Sequence, residues 1–314
     1  MKIFEYGQVD PVQVLHLNML CLGFSLTPER AAMIHQEDPR TFPFFCLYAQ
    51  VEGIVAGQVG VFRLPVVSTA GANEVGGVWA VSTHPLYAGR GIALGLLEEA
   101  HARMRAAGLR FSTLGTDRYR VAHRLYEKLG YEDVFSSPSV IARRDVLPSG
   151  SELRAERAGS ERLPLADRLF ERIAGSYLGF ARRHTPFFPF LERREYLGGQ
   201  ELWLFWKEHE AVGYAAAFLS KSVLRIASLL LFEPIDPVAA VAAVAHQVGA
   251  PYVQVTLDRP VDRMSFLEAG FHIAEATWGT FMVKPLAAGI TVGDFRRLYG
   301  VGTERFLISY MDIT

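Results

Sequence analysis

The chain of 314 residues reads as an α/β protein built twice. Runs with the two-residue alternation of strands give way repeatedly to runs with helical spacing. A Pro/Gly/Ser break at Val146-Leu147-Pro148-Ser149-Gly150-Ser151 divides the chain. The order of elements before the break returns after it, offset by roughly 140 to 155 residues, far beyond the period of a solenoid repeat. The expected architecture is two α+β domains, each a mixed sheet flanked by helices, at residues 1–147 and 151–286, with a short extension at 287–314.

Residues 1–145 give a strand, two helices, three strands, then helix, strand, helix and strand. Phe44–Val51 and Ile54–Pro65 are apolar, β-branched or aromatic, and Glu52-Gly53 between them is a hairpin signal. Val75–Thr83 is the next strand, after the turn Gly71-Ala72-Asn73. From Gly91 the period changes: Ile92, Leu94, Leu96, Leu97, Ala100 and Met104 recur at helical spacing until Gly108 stops them. Arg110–Leu114 is a short strand, and Val121–Leu129 a helix ended by Gly130. In the second half, Glu201–Trp206 and Ala211–Leu219 echo the hairpin and Leu224–Phe232 the strand after it. Pro237–Val248 is a helix, Tyr252–Leu257 a strand, and Phe266-Leu267-Glu268-Ala269-Gly270-Phe271 a helix end like Tyr126-Glu127-Lys128-Leu129-Gly130-Tyr131.

Half the residues are apolar and about a fifth charged, the composition of a packed globular chain. A formal charge of −1 without a basic cluster disfavours a nucleic-acid partner. Cys21 and Cys46 fit neither a disulfide framework nor a zinc site and are expected reduced and buried. No signal-peptide layout and no apolar run of about 18 residues is present, so a cytoplasmic protein without a membrane partner is expected.

Val78-Trp79-Ala80-Val81-Ser82-Thr83 runs through His84-Pro85-Leu86-Tyr87 into Ala88-Gly89-Arg90-Gly91-Ile92-Ala93 and straight into the amphipathic helix. A helix start leaves N–H groups unpaired and carries partial positive charge, and glycines admit an anion close to the backbone. Such a loop suits a pyrophosphate, although two glycines alone also make a plain strand-to-helix turn.

With the strand before it and Leu125-Tyr126-Glu127-Lys128-Leu129-Gly130-Tyr131 after it, the segment resembles the GNAT superfamily of acyl-CoA-dependent N-acyltransferases. The family pattern is an apolar strand ending Val-x-Pro, then Arg/Gln-x-x-Gly-x-Gly/Ala, then Leu-Tyr-x-x-x-Gly-Phe. Pro85 and Gly91-x-Ala93 match, Thr83 replaces the valine, Tyr131 the last Phe, and Ala88 departs from Arg/Gln. By element order the resemblance covers nearly all of residues 1–145. It implies mostly antiparallel, twisted sheets and acetyl-CoA as co-substrate, with no metal. Its pyrophosphate would lie on Gly89, Arg90, Gly91, Ile92 and Ala93, and its pantetheine arm along Val81, Ser82 and Thr83, like an added strand. The acetyl carbonyl would then sit near backbone amides able to stabilise an oxyanion.

Acyl transfer to an amine needs a base for the nucleophile and an acid for the thiolate. Tyr126 matches the family tyrosine near the CoA sulfur, and otherwise packs its ring on the sheet. Three groups are candidates for the base: Glu74 at the start of the fourth strand, His84 beside the loop, and the carboxylate of Thr314. The last follows from a second resemblance, to the enhanced-intracellular-survival group of tandem GNAT proteins, whose chain end reaches the active site. The apolar tail Phe306–Thr314 alternates Phe306, Ile308 and Tyr310 in strand fashion and is expected to dock. The loop from His184 to Phe190 is expected to fill the interdomain seam, and Arg182-Arg183 and Arg193-Arg194 to be solvated.

Where the first half has its glycine loop, the second has Glu233-Pro234-Ile235-Asp236-Pro237, a good helix start that puts a carboxylate where pyrophosphate would lie. One cofactor site per chain is therefore expected. The function expected is N-acetyl transfer from acetyl-CoA to an amine of a small molecule or peptide. A non-turning-over acyl-CoA-binding regulator and a structural protein with both sites degenerate are the alternatives.

Overall fold

The computed structural model describes residues 2–150, 152–274 and 279–312. The chain opens with β1 (Lys2–Glu5) and the helices α1 (Pro11–Leu22) and α2 (Pro28–Glu37). Asp10 and Thr27 cap these helices by accepting from Val12 N and Arg30 N, each followed by proline at the first helical position. An antiparallel meander of β2 (Thr41–Val51), β3 (Ile54–Ser68) and β4 (Gly71–Thr83) follows. Glu52 and Gly53 both take positive φ, 53° and 80°, as a tight two-residue hairpin turn requires. Then come α3 (Ile92–Ala106), β5 (Phe111–Thr116), α4 (Val121–Lys128) and β6 (Glu132–Ser136).

The second series is β7 (Ser139–Arg143), β8 (Leu153–Arg157), α5 (Leu163–Ala174), β9 (Leu178–Gly179), α6 (Phe187–Arg193), β10 (Leu202–Lys207), β11 (Glu210–Ser220) and β12 (Val223–Leu231). It continues with α7 (Pro237–Val248), β13 (Tyr252–Thr256), α8 (Arg263–Glu268), β14 (His272–Ala274), β15 (Thr280–Pro285), α9 (Val292–Tyr299) and β16 (Phe306–Leu307). Among the described residues no helix is long and apolar enough to cross a membrane.

The two sheets run β1-β2-β3-β4-β5-β15-β6 and β8-β10-β11-β12-β13-β7-β14. They have the same plan, with the sixth position exchanged. β15, from the far end of the second series, lies antiparallel between β5 and β6. β7 lies antiparallel between β13 and β14 in return. The expected ranges 1–147 and 151–286 are therefore each missing one strand of their own sheet and holding one of the other's. Only Ser137 and Pro138 separate β6 from β7, and the chain passes from one sheet to the other there. Ser137 N donates to Gly279 O (2.9 Å), so the two crossing segments are tied together.

The extension does not stand apart from the sheets. α9 packs Phe295 and Tyr299 on Phe111 of β5, with ring centroids 5.2 and 6.1 Å away. β16 pairs in parallel with β9, which touches β3 through Val67 and Gly179. The expected alternation at Phe306, Ile308 and Tyr310 is absent: residues 306–309 are all buried, and a short 3-10 turn, Tyr310–Asp312, follows. Burial on both sides removes the reason for a period of two. Of the cysteines, Cys46 is buried and Cys21 half-buried, both free.

Candidate active site

β4 and β5 are parallel neighbours, but they pair only at Gly76 with Ser112 and Gly77 with Thr113. Beyond Gly77 the strands part, leaving a notch. In the same stretch Ala80 and Val81 of β4 face the single Val59 of β3, a β-bulge, and Ala80 takes φ 51°. Past Gly77 the edge of β4 that faced β5 is unpaired among the described residues, so it keeps donors and acceptors for another extended chain. Ser82 Oγ in this stretch is buried and has no hydrogen-bond partner among the described residues.

The strand ends in a short 3-10 turn, Pro85–Tyr87, capped by His84, whose Nδ1 accepts from Leu86 N (3.2 Å). Gly89 and Gly91 follow at φ 74° and 73°, and each would face open space if it carried a Cβ. Gly91 is the N-cap of α3 and provides no side-chain cap, so the first N–H groups of α3, those of Ile92 and Ala93 among them, face the exposed loop. Arg90 is exposed with its guanidinium 5.1 Å from the Tyr87 ring centroid. The unpaired end of β4, the uncapped start of α3 and the exposed guanidinium follow one another along the chain. Val81, Ser82 and Thr83 end β4, and Gly89, Arg90, Gly91, Ile92 and Ala93 form the loop and first turn of α3, with the side chains of Ser82 and Ile92 buried.

Tyr126 of α4 belongs to the same buried cluster as Ile92, Leu96 and Leu114, against which Val81 packs. Burial pushes its phenol up to about 12, so it is a protonated donor across the physiological range. Tyr131 is also buried, and its hydroxyl meets His101 Nε2 of α3 (2.7 Å) and Ser112 Oγ of β5 (2.6 Å). A phenylalanine there would leave that imidazole unpaired. Burial, with Lys284 and Arg105 nearby, lowers His101 to about 3, which keeps the ring neutral.

The base candidates fare differently. Glu74 is not brought to the notch: it is exposed, pairs with Arg63 (3.4 Å), and lies seven residues before Val81. At about 3.3 Å per residue that is roughly 20 Å along the strand. His84 spends its Nδ1 lone pair on the turn. Thr314 lies outside the described residues, but its neighbour two positions back does not: Asp312 is buried and forms a two-bonded pair with Arg183 (2.8 and 2.9 Å). Arg183 also donates to Tyr214 Oη (3.1 Å) and stacks 3.9 Å over the Phe170 ring.

Sequence reading placed Arg183 and Arg194 in solvent, and the structure corrects this. One arginine of each pair turns inward: Arg183 onto Asp312, and Arg194 to 3.7 Å from Asp38, which Arg40 also grips at 2.7 Å. Asp38, Arg40 and Arg183, with Phe180, Phe187 and Phe190, surround a cavity of 170 Å³ between the first sheet and the α6 loop, and Asp312 is part of its wall. A floor of stacked groups leads from it toward the bulge: Arg40 lies 4.7 Å over Phe62, which stacks at 4.9 Å and 7° on Trp79, the residue before Ala80. Trp79 fits because Gly60 lacks a Cβ, which would stand 2.3 Å from the indole. Its buried Nε1 has no partner among the described residues. None of Trp79, Arg40 and Asp312 sits in a motif, so spacing alone could not find them.

The corresponding place in the second sheet is closed. β12 and β13 pair over four residues, Val223 to Ile226. Ser228 beyond them donates to the buried Asp258, and Ser309 of the tail sits 3.1 Å from Ser228 Oγ. Asp236 caps α7 by accepting from Val238 N (2.9 Å), which puts a carboxylate on the helix start.

Residues 12–131 match the model of the acetyltransferase (GNAT) family. The first half is a GNAT domain, and by it the chain is an acyltransferase. Among solved structures, a GCN5-related N-acetyltransferase from Kribbella flavida is 20% identical over 91% of this chain and 72% of that one, with a TM-score of 0.62. One from Anabaena variabilis gives 17%, 91%, 73% and 0.65. One from Sphaerobacter thermophilus gives 15%, 92%, 96% and 0.55. Coverage on this scale extends the shared fold across both halves. No curated protein sequence matches the chain.

Proposed function

We propose that the protein transfers the acetyl group of acetyl-CoA directly to an amine bound in the seam cavity. The observation that carries this is the β4–β5 notch with its bulge at Ala80, running without interruption into the uncapped start of α3. The pantetheine arm lies along Val81, Ser82 and Thr83, and the pyrophosphate on the amides from Gly89 to Ala93 with Arg90 beside it. GNAT proteins in general use this co-substrate. Tyr126, protonated and buried, gives its proton to the departing thiolate, while backbone N–H groups freed by the bulge hold the developing oxyanion.

The amine is taken up in its neutral form, and the proton it loses on attack passes to solvent in the seam. Arg183 fixes Asp312 in the cavity wall. The second domain serves as scaffold and acceptor wall. Its helix start is capped by its own Asp236, and its notch is filled by Asp258, Ser228 and Ser309.

Turnover of acetyl-CoA over a panel of primary amines tests the reading. Transfer to at least one of them is expected. Acetyl-CoA binding without transfer to any amine would instead favour a regulator.

A further inference from the structure

The walls of the seam cavity carry more positive than negative charge. Three ion pairs line it: Arg40 with Asp38, Arg183 with Asp312, and Arg193 with Glu37 at 2.7 Å. Asp38 serves two guanidiniums, since Arg194 also stands 3.7 Å from it. Arg194 is under-neutralised: burial and the nearby Arg40 lower it to about 10, and its buried Nε has no partner among the described residues. Arg182 also lines the cavity, and among the described residues no carboxylate lies within ion-pair distance of it. Next to it His184 presents a buried Nε2 without a hydrogen-bond partner among the described residues. A buried polar atom left unpaired costs about 1–3 kcal/mol, which a ligand accepting from it would recover.

The rest of the wall is apolar, from Leu64, Phe180, Phe187 and Phe190. A volume of 170 Å³ is comparable to the roughly 150 Å³ dry cavity that accepts benzene. One ring-sized body fits. Arg182 and His184 lie in the segment just before α6, and the stack of Arg40, Phe62 and Trp79 connects the cavity to the bulge.

We propose that the acceptor is an amine carrying an anionic group at its far end, with one ring-sized apolar body between the two. The anion, a carboxylate or phosphate, accepts from Arg182 and His184; the ring lies among Phe180, Phe187 and Phe190; the amine points along Trp79 to the acetyl group. A second ammonium is disfavoured by Arg182, which has no carboxylate within ion-pair distance among the described residues, since like charges repel. This rests on the acetyltransferase reading, with the specificity set by the seam.

Three amines of one shape test it: 4-(aminomethyl)benzoate, benzylamine and 1,4-bis(aminomethyl)benzene. The kcat/KM values should fall in that order, by about tenfold at each step, equivalent to about 1.4 kcal/mol each. Arg182→Gln with His184→Asn should erase the advantage of the carboxylate and leave benzylamine within twofold, at an unchanged melting temperature. Transfer with equal values, or with the diamine preferred, overturns the anion site and leaves the acetyltransferase reading intact. Calorimetric binding of 4-(acetamidomethyl)benzoate needs no turnover: its loss in the double variant supports the anion site, and its absence in the wild type overturns it. If that compound binds while no amine is acetylated by protein that holds acetyl-CoA, the acetyltransferase reading falls and the anion site stands.

Discussion

Tyr126 and His101 show how burial sets chemistry one residue at a time. A phenol held near 12 donates a proton and does not act as a base at neutral pH. Tyr126→Phe should therefore lower kcat about 100-fold or more, with little change in the affinity for acetyl-CoA, as steady-state kinetics and calorimetry would show. His101 works through stability. Its folded pKa of about 3 lies below the ordinary histidine value of 6.5, so the unfolded chain binds the extra proton between those two values. Stability is fully present above pH 6.5 and declines as pH falls toward 3, by up to about 1.4 kcal/mol per unit. Melting temperatures from pH 7.5 to 5 should fall more steeply for the wild type than for His101→Gln. Tyr126 was legible in the sequence because it sits in a motif. Arg183, Asp312, Trp79 and His184 were not, because each acquires its surroundings from segments far away in the chain.

Two helix starts, α3 and α7, are alike in position and opposite in capping. α3 begins at Gly91 with no side-chain cap, while Asp236 caps α7. Gly91→Glu introduces both a side chain at φ 73° and a carboxylate on the N–H groups, so it should abolish the rise in melting temperature that acetyl-CoA gives the wild type. Asp236→Ala should cost about 1 kcal/mol of stability by denaturant titration and leave acetyl-CoA affinity unchanged. The contrast was readable in advance, since glycine, aspartate and proline act through local backbone rules. The bulge at Ala80 was not: alternation counts residues along a strand, and only the partner strand shows that two of them face one.

The exchange of β7 and β15 makes the two domains parts of each other. Each sheet loses an internal strand if the other unfolds, so calorimetry should show one cooperative transition, and residues 1–147 expressed alone should not give a monomer that binds acetyl-CoA. Repetition and fold class were legible because each strand keeps its own pattern of burial. Which sheet a strand joins leaves no such trace, since β7 and β15 occupy equivalent slots with equivalent faces. The central claim is that one acetyl-CoA binds per chain, at the start of α3. Titration calorimetry with acetyl-CoA should give one site per chain for the wild type and none for Gly91→Glu. Two sites per chain, or an undiminished site in the variant, would contradict it.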